Sequence, residues 1–224
     1  MSSESPKHVL FGQFAAVAKA AAHPHRLELL EQLAQGERSV EVLADRLKLS
    51  VANASQHLQH MRRGGLVAAR RDGKFVFYRL ADDAVLDLVA ALRRVAEAQS
   101  AEVERVVRSY FANRDALEPV TRAELLGRLK DGVVTVLDVR PQDEFALGHL
   151  PGAINVPLAE LEKRLSALDP GHEIVAYCRG PYCVLSYEAV AQLRARGFKI
   201  RRLEDGYPEW RAAGLPVEAG LTVP

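Results

Sequence analysis

The sequence predicts two folded units in series: a mainly helical one that ends in a basic β-hairpin, then an α/β one built on a parallel sheet. Three observations carry this reading. The 224 residues, 48% hydrophobic and 26% charged, exceed the roughly 100 to 150 of a typical compact domain. The first half has helical periodicity followed by a two-stranded pattern around Asp72 and Gly73. The second half alternates continuous apolar runs, VVTVLDV and EIVAYC, with helical segments. The expected units are residues 1–112 and 113–224. No apolar run reaches the roughly 18 residues of a membrane span, and the start MSSESPKHVLFGQ has neither the basic flank nor the cleavage site of a secretory signal. A cytoplasmic protein with no membrane partner is therefore expected.

Taken in order, residues 8–22 are alanine-rich with Phe11, Phe14, Ala15 and Ala18 at helical spacing. A second helix follows HPHR through Leu27, Leu30 and Leu33 to Gly36. Ser39 is an N-cap for VEVLADRLK, whose Val42, Leu43 and Leu47 supply an apolar face. Ser50 caps VANASQHLQHMRR, in which Ala54, Leu58 and Met61 point inward. The outcome is helix, short turn, helix. The polar side of the second helix carries Asn53, Gln56, His57 and His60, which suit base edges in a major groove, and Arg62 and Arg63 at its end suit phosphates. Gly64 and Gly65 end that helix, and LVAARRDGKFVFYRL alternates as a hairpin with Arg70, Arg71 and Lys74 near its tip. Residues 46–79 hold eight basic side chains against one acid, a local balance of +7 in a chain whose net charge is only +1. Such a stretch fits a phosphate backbone.

From Asp82 to Phe111, Val85, Val89, Leu92, Val95, Ala96, Val103, Val106 and Tyr110 form an apolar stripe along one expected helix of about 45 Å. A small domain cannot cover so long a stripe. Pairing with a second copy of the chain buries it and sets two reading helices one DNA turn apart; packing against the second unit is the alternative.

The segment AAHPHRLELLEQLAQGERSVEVLADRLKLSVANASQHLQHMRRGGLVAARRDGKFVFYRL resembles the winged helix-turn-helix of ArsR-type bacterial repressors. The likeness covers about residues 8–110 and includes HPHR, the LS-x4-S-x-HL pattern and the GLV that leads into the wing. It implies a homodimer on a palindromic double-stranded operator, released by a metal or a thiol-reactive signal. It also implies that Ser50, Asn53, Ser55, Gln56, His57 and His60 lie on or near the DNA-reading helix. No metal site or other cofactor is expected. VEVLADRLK carries no cysteine, no histidine occurs between His60 and His149, and His23 and His25 flanking Pro24 are too few donors. The sensing chemistry is then sought in the second half.

There, a break at ANRDALEPVTRAELL, with Pro119 blocking helix continuation, precedes a helix beginning near Thr121. Strands are expected at 133–139, at EIVAYC and at FKIRRLE, and in such sheets reactive groups favour the carboxyl ends of strands. Cys178 ends one strand, and RGPY leads from it into the helix CVLSYEAVAQLRARG, with Val184, Ala189, Val190 and Leu193 as its buried side. Backbone amides curling around the thiol and the dipole of the helix favour a nucleophilic thiolate. A buried, inert cysteine is the alternative, against which Arg179 and the glycine loop weigh.

Residues 118–220 resemble a rhodanese domain through LDVRPQDEFALGHLPGAINVP, VAYCRG and EDGYPEWRAAGLPVE. The resemblance implies that Cys178 takes a sulfane sulfur from a donor such as thiosulfate or a persulfide and holds it as Cys–S–SH. The loop amides from Arg179 through Cys183, Gly180 and Tyr182 included, would stabilise the sulfur anion, while Asp138, Arg140, Glu144, His149 and Trp210 would be scaffold. Three departures stand out. Pro181 has no N–H, Cys183 occupies a place where many active members carry a basic residue, and Val184 stands where related phosphatases and arsenate reductases carry arginine. Cys183 is then a resolving thiol for Cys178 if the sulfur atoms can approach. Together the halves predict a DNA-binding transcriptional regulator that senses sulfane sulfur or redox state through Cys178, with operator DNA, a second copy and a small sulfur donor or thiol as partners. The alternative is a thiosulfate or persulfide sulfurtransferase whose DNA-binding half places or regulates it.

Overall fold

The computed structural model describes residues 5–220 except Asn113, Ala116 and Pro170, so the first four residues and the expected boundary residue Asn113 lie outside the described part. The chain divides into two compact units, Met1–Ala90 and Ala91–Pro224.

The first unit runs α1 (Pro6–Ala21), α2 (Pro24–Ala34), β1 (Arg38–Ser39), α3 (Val40–Leu47), α4 (Val51–Arg63), β2 (Val67–Asp72), β3 (Phe75–Leu80) and the start of α5 (Ala84–Gln99). Side-chain caps set three of the starts. His23 accepts from the His25 amide at 3.1 Å, Ser39 Oγ from the Val42 amide at 3.4 Å and Ser50 Oγ from the Asn53 amide at 3.2 Å. Each such cap contributes about 1 kcal/mol. Between α3 and α4 the chain turns at Lys48, which takes a left-handed φ of 55°. Leu29, Leu33, Leu43, Ala54, Leu58, Met61 and Leu66 form the centre of the core. The antiparallel sheet has the order β1-β3-β2.

Two expectations are corrected here. The last hairpin pair is Asp72 with Phe75, so the turn residues are Gly73 and Lys74, not Asp72 and Gly73. Gly73 supplies the positive φ, 57°, that a two-residue turn needs at its first position. Leu27 and Val42 are exposed, because the core reaches only the sides of α2 and α3 that carry Leu30, Leu33 and Leu43.

The second unit contains the end of α5, then α6 (Ala101–Val106), a π-helical turn (Val107–Phe111), α7 (Arg122–Lys130), β4 (Val134–Asp138), α8 (Gln142–Leu147), β5 (Ile154–Asn155), β6 (Glu173–Tyr177), α9 (Val184–Ala195), β7 (Ile200–Arg202) and α10 (Tyr207–Ala212). The single long helix expected from Asp82 to Phe111 is interrupted at Ser100. Its backbone is extended (φ −104°, ψ 109°), and its hydroxyl accepts from the Val103 amide at 3.3 Å. A serine that bonds the backbone this way competes with the helix ladder, so it starts a new helix and ends the old one.

The sheet order is β5-β4-β6-β7, all parallel. Successive residues of β4 and β6 alternate between two cores, as a period of two requires. One holds Leu137, Ile174, Ala176 and Cys178 against Ala189, Val190 and Leu193 of α9. The other holds Val136, Val175 and Tyr177 against Phe145 and Trp210. Val184 does not join the buried side of α9; as the first residue after the cap it is 38% exposed. Among the described residues no helix is long and apolar enough to cross a membrane.

Candidate functional site

On α4 the burial of Ala54, Leu58 and Met61 fixes which side chains face outward. Gln56, His60, Arg62 and Arg63 are exposed, while Asn53, Ser55 and His57 are half-buried. Two of the expected hydroxyls are already engaged within the helix. Ser50 Oγ is the N-cap, and Ser55 Oγ accepts from Gln59 Nε2 at 3.2 Å. On the hairpin, Arg71 and Lys74 are exposed. Arg71 Nε donates to Gly73 O at 3.2 Å, and Lys74 lies 5.2 Å from the Phe75 ring centre. Arg70, at the same tip, pairs with Glu37 at 2.6 Å and Asp72 at 3.1 Å. The local balance of +7 therefore overstates the field that a phosphate meets, since Glu37 folds in from outside the counted stretch.

The fold also brings His57 to the imidazoles of His23 and His25, more than thirty residues earlier in the chain. The His57 ring lies 4.5 Å from that of His23 and 5.7 Å from that of His25, which are 5.2 Å from each other. Burial lowers the His57 pKa, and the neighbouring His23, Arg26, His25 and His60 lower it further. Among the described residues no group of three or more His, Cys, Asp or Glu is arranged to hold a metal ion.

At the carboxyl end of β6, Cys178 is 1% exposed, and Cys183, which caps α9, is 6% exposed. Their sulfurs are joined as a disulfide across the loop Arg179–Tyr182, with Cα atoms 6.1 Å apart, an ordinary span for such a bond. The loop is held from below by Tyr207, whose amide donates to Cys178 O at 3.0 Å, and the Cys183 carbonyl accepts from the Ser186 amide at 3.2 Å and hydroxyl at 2.9 Å.

The expected ring of amide donors is incomplete. Cys183 N–H donates to Gly180 O at 3.1 Å, closing a turn instead of facing a sulfur anion, and Pro181 has no N–H to give. The Arg179 guanidinium turns to a carboxylate. It forms a two-pronged pair with fully buried Glu144, Nη2 to Oε1 at 2.7 Å and Nε to Oε2 at 3.0 Å. Its role is to tie the loop to α8.

Other scaffold positions are similarly engaged. Arg140, wholly buried, donates to Asp138 at 2.6 Å and to Gly148 O at 2.7 Å. Burial opposes its charge, but Asp138 more than offsets that and its pKa is raised. His149 stacks on Phe145, with Nδ1 2.9 Å from the Phe145 carbonyl, and Trp210 Nε1 donates to Pro216 O at 2.8 Å.

Several residues beside the loop escaped the sequence reading. Gly206 packs so closely that a Cβ there would strike the backbone of Arg179 and Gly180. Glu209 Oε2 accepts from the Gly206 amide at 3.1 Å, and burial raises the Glu209 pKa. The three-residue spacing of Gly206 and Glu209 is the capping-box spacing and could have disclosed this pair. Tyr182, a member of that loop, sends its phenol outward to Glu97 of α5 at 2.7 Å, and its ring meets Phe111 at 5.2 Å. Nothing local in sequence marks a contact 85 residues apart.

Two family models match the chain, a helix-turn-helix domain over residues 21–70 and a rhodanese-like domain over residues 121–213. The HTH-type transcriptional regulator Rv0324 of Mycobacterium tuberculosis is 46% identical over 217 residues, 97% of this chain and 95% of that protein. A sulfurtransferase of Allochromatium vinosum is 32% identical over 87 residues, 38% of this chain and 79% of that protein. Among solved structures, the homodimeric winged helix-turn-helix DNA-binding domain Mb0332 of Mycobacterium bovis is 41% identical, covers 46% of this chain and 95% of its own, and superposes with a TM-score of 0.41. Likeness over nearly the whole length of the mycobacterial regulator, with both matched domains falling on the folded units, makes this chain a member of the HTH-type transcriptional regulators, one that carries a rhodanese-like domain after its helix-turn-helix.

Proposed function

We propose that this regulator is a cytoplasmic sensor of sulfane sulfur, with Cys178 as the accepting thiol and Cys183 as the resolving one. The observation that carries the reading is the pairing of two cysteines across a four-residue loop at a strand end, in a chain whose other unit matches a helix-turn-helix domain. The chemistry balances in two steps. The Cys178 thiolate attacks the outer sulfur of a persulfide R–S–SH, forming Cys178–S–SH and releasing R–S⁻. The Cys183 thiolate then attacks Cys178 Sγ, forming the disulfide and releasing HS⁻. Two electrons pass from the dithiol to the sulfane sulfur. Exchange with two equivalents of a small thiol, which leave as R–S–S–R, restores the dithiol.

DNA is read by α4, with Asn53, Gln56, His57 and His60 toward bases and with Arg62, Arg63, Arg71 and Lys74 toward phosphates. The protein acts as a homodimer. Val9, Leu10, Phe11 and Phe14 of α1 and Leu92 and Val95 of α5 are all more than 45% exposed, and a second copy gives these apolar side chains cover. The test is operator affinity of the dithiol and sulfur-treated protein, wild type against Cys178→Ser. A fivefold to hundredfold change, roughly the usual range of allosteric coupling, is expected for wild type and none for the variant. Equal affinities in every state refute sensing. Likeness to a sulfurtransferase favours a second reading, steady turnover. Continuous transfer of sulfur from thiosulfate to cyanide, at many cycles per chain, would put that reading first.

A further inference from the structure

The sulfur loop is gripped from outside by the helical segment that begins the second unit. Tyr182, the residue before Cys183, donates its phenol to Glu97 of α5 at 2.7 Å. Arg93, one turn earlier, stands 3.6 Å from Glu97 and 3.8 Å from Glu209, whose carboxylate borders Gly180 on the other flank of the loop. Phe111 sits against both Tyr182 and Tyr187, with ring centres at 5.2 and 4.7 Å, and Tyr110 Oη lies 3.3 Å from Glu188. The loop, the first two turns of α9 and Glu209 of α10 thus meet α5 and the π-helical turn through four side chains of that segment, Arg93, Glu97, Tyr110 and Phe111. Helix α5 is unbroken from Ala84 to Gln99 and also supplies Val85 to the core of the first unit.

We propose that Tyr182 is a latch: its bond to Glu97 and its tilted ring contact with Phe111 couple the state of the Cys178–Cys183 pair to helix α5, and through that helix to DNA affinity. The proposal rests on the sensing reading above and names its mechanical link. Cys183 follows Tyr182 directly, so the backbone that places its sulfur against Cys178 also aims the phenol at Glu97. Sulfur loading or opening of the pair shifts that backbone and withdraws the phenol. By linkage, a contact that favours one redox state of the pair must be strengthened by that state in return. The phenol is a donor at every working pH, because burial and Glu97 push its pKa up to about 12. Arg93 and Glu209 hold Glu97 and the loop to the same helix, so the latch works against a fixed frame.

The experiment uses the full chain and a labelled duplex selected by it from a random-sequence pool. Two quantities are measured for wild type, Tyr182→Phe, Glu97→Gln and Glu97→Ala. One is the equilibrium between disulfide and dithiol in dithiothreitol buffers, and the other is the ratio of DNA affinities of the two states. Tyr182→Phe retains the ring against Phe111 and loses only the hydrogen bond. It is expected to shift the dithiothreitol equilibrium at least threefold and to reduce the affinity ratio to less than a third of the wild-type ratio. Glu97→Ala should match it, while Glu97→Gln, which still accepts from the phenol, should stay close to wild type. Sulfur uptake at Cys178, read by intact mass, should persist in all four, since the phenol plays no part in the transfer. Should both quantities match wild type in Tyr182→Phe and in Glu97→Ala, the latch is overturned. Should wild type bind DNA equally in both states, the sensing reading fails, and the dithiothreitol equilibrium alone then decides whether Tyr182 is tied to the pair.

Discussion

Leu58 lies on helix α4 with no exposed surface, in the same cluster as Leu43, Ala54 and Met61. Leu58→Ala removes its side chain beyond Cβ and leaves a cavity that the surrounding helices fill only in part, at a loss of about 3 kcal/mol. For a unit of this size the urea slope is about 1 kcal/mol/M, so the midpoint of its unfolding should fall by about 3 M. The single tryptophan offers a clean control. Trp210 is 1% exposed in a core of the second unit, which contains no residue of the first. Urea titration of the variant should therefore show an early phase in far-ultraviolet circular dichroism, while the Trp210 fluorescence curve moves by less than about 0.5 M. The reasoning is refuted if the two curves shift together, or if the dichroism midpoint stays within about 0.5 M of wild type. The first outcome would mean one cooperative core, and the second would mean that Leu58 does not anchor α4.

Four further outcomes follow from the same contacts. Ser50→Ala deletes the cap of α4 and should lower the stability of the first unit by about 1 kcal/mol, read as a smaller shift of the same dichroism phase. His57 has a lowered pKa, so between that value and about 6.5 the unfolded chain binds more protons than the folded one. Stability should thus fall as pH drops through 6.5, and His57→Gln should flatten that part of the thermal profile; an unchanged slope would count against the imidazole cluster. Arg179→Ala deprives fully buried Glu144 of its two-pronged partner and should lower the Trp210 midpoint by an amount equivalent to about 3 kcal/mol, read in the same urea titration. Gly206→Ala forces a methyl group against the Arg179 and Gly180 backbone and should slow disulfide formation between Cys178 and Cys183, timed by thiol labelling, more than it lowers the Trp210 midpoint.

Most of the first unit is legible in the chain because its signals are local. Ser39 and Ser50 stand directly before the helices they cap, and Ala54, Leu58 and Met61 recur at the helical period, so the buried side of α4 and hence its outward side follow from spacing alone. The hairpin was displaced by one residue because Asp72-Gly73 and Gly73-Lys74 both satisfy the turn preference, and only cross-strand packing chooses between them. The long terminal helix was misread for a related reason. Its apolar stripe continues past Ser100, and periodicity says nothing about a hydroxyl that turns back on the backbone.

That Cys178 ends a buried strand and Cys183 begins the next helix is legible in the chain, since apolar runs and loop residues are read along one dimension. Tertiary structure decided what surrounds them. The Arg179 guanidinium pairs with Glu144, Cys183 N–H closes a turn, and the Tyr182 phenol reaches Glu97. The three clustered histidines are the cap of α2 (His23), a residue of α2 (His25) and a residue of α4 (His57), and no spacing rule brings His57 to the other two. A charged or polar side chain is committed by whichever partner the packed chain brings within about 3 Å, and that partner is set by burial and topology across dozens of residues.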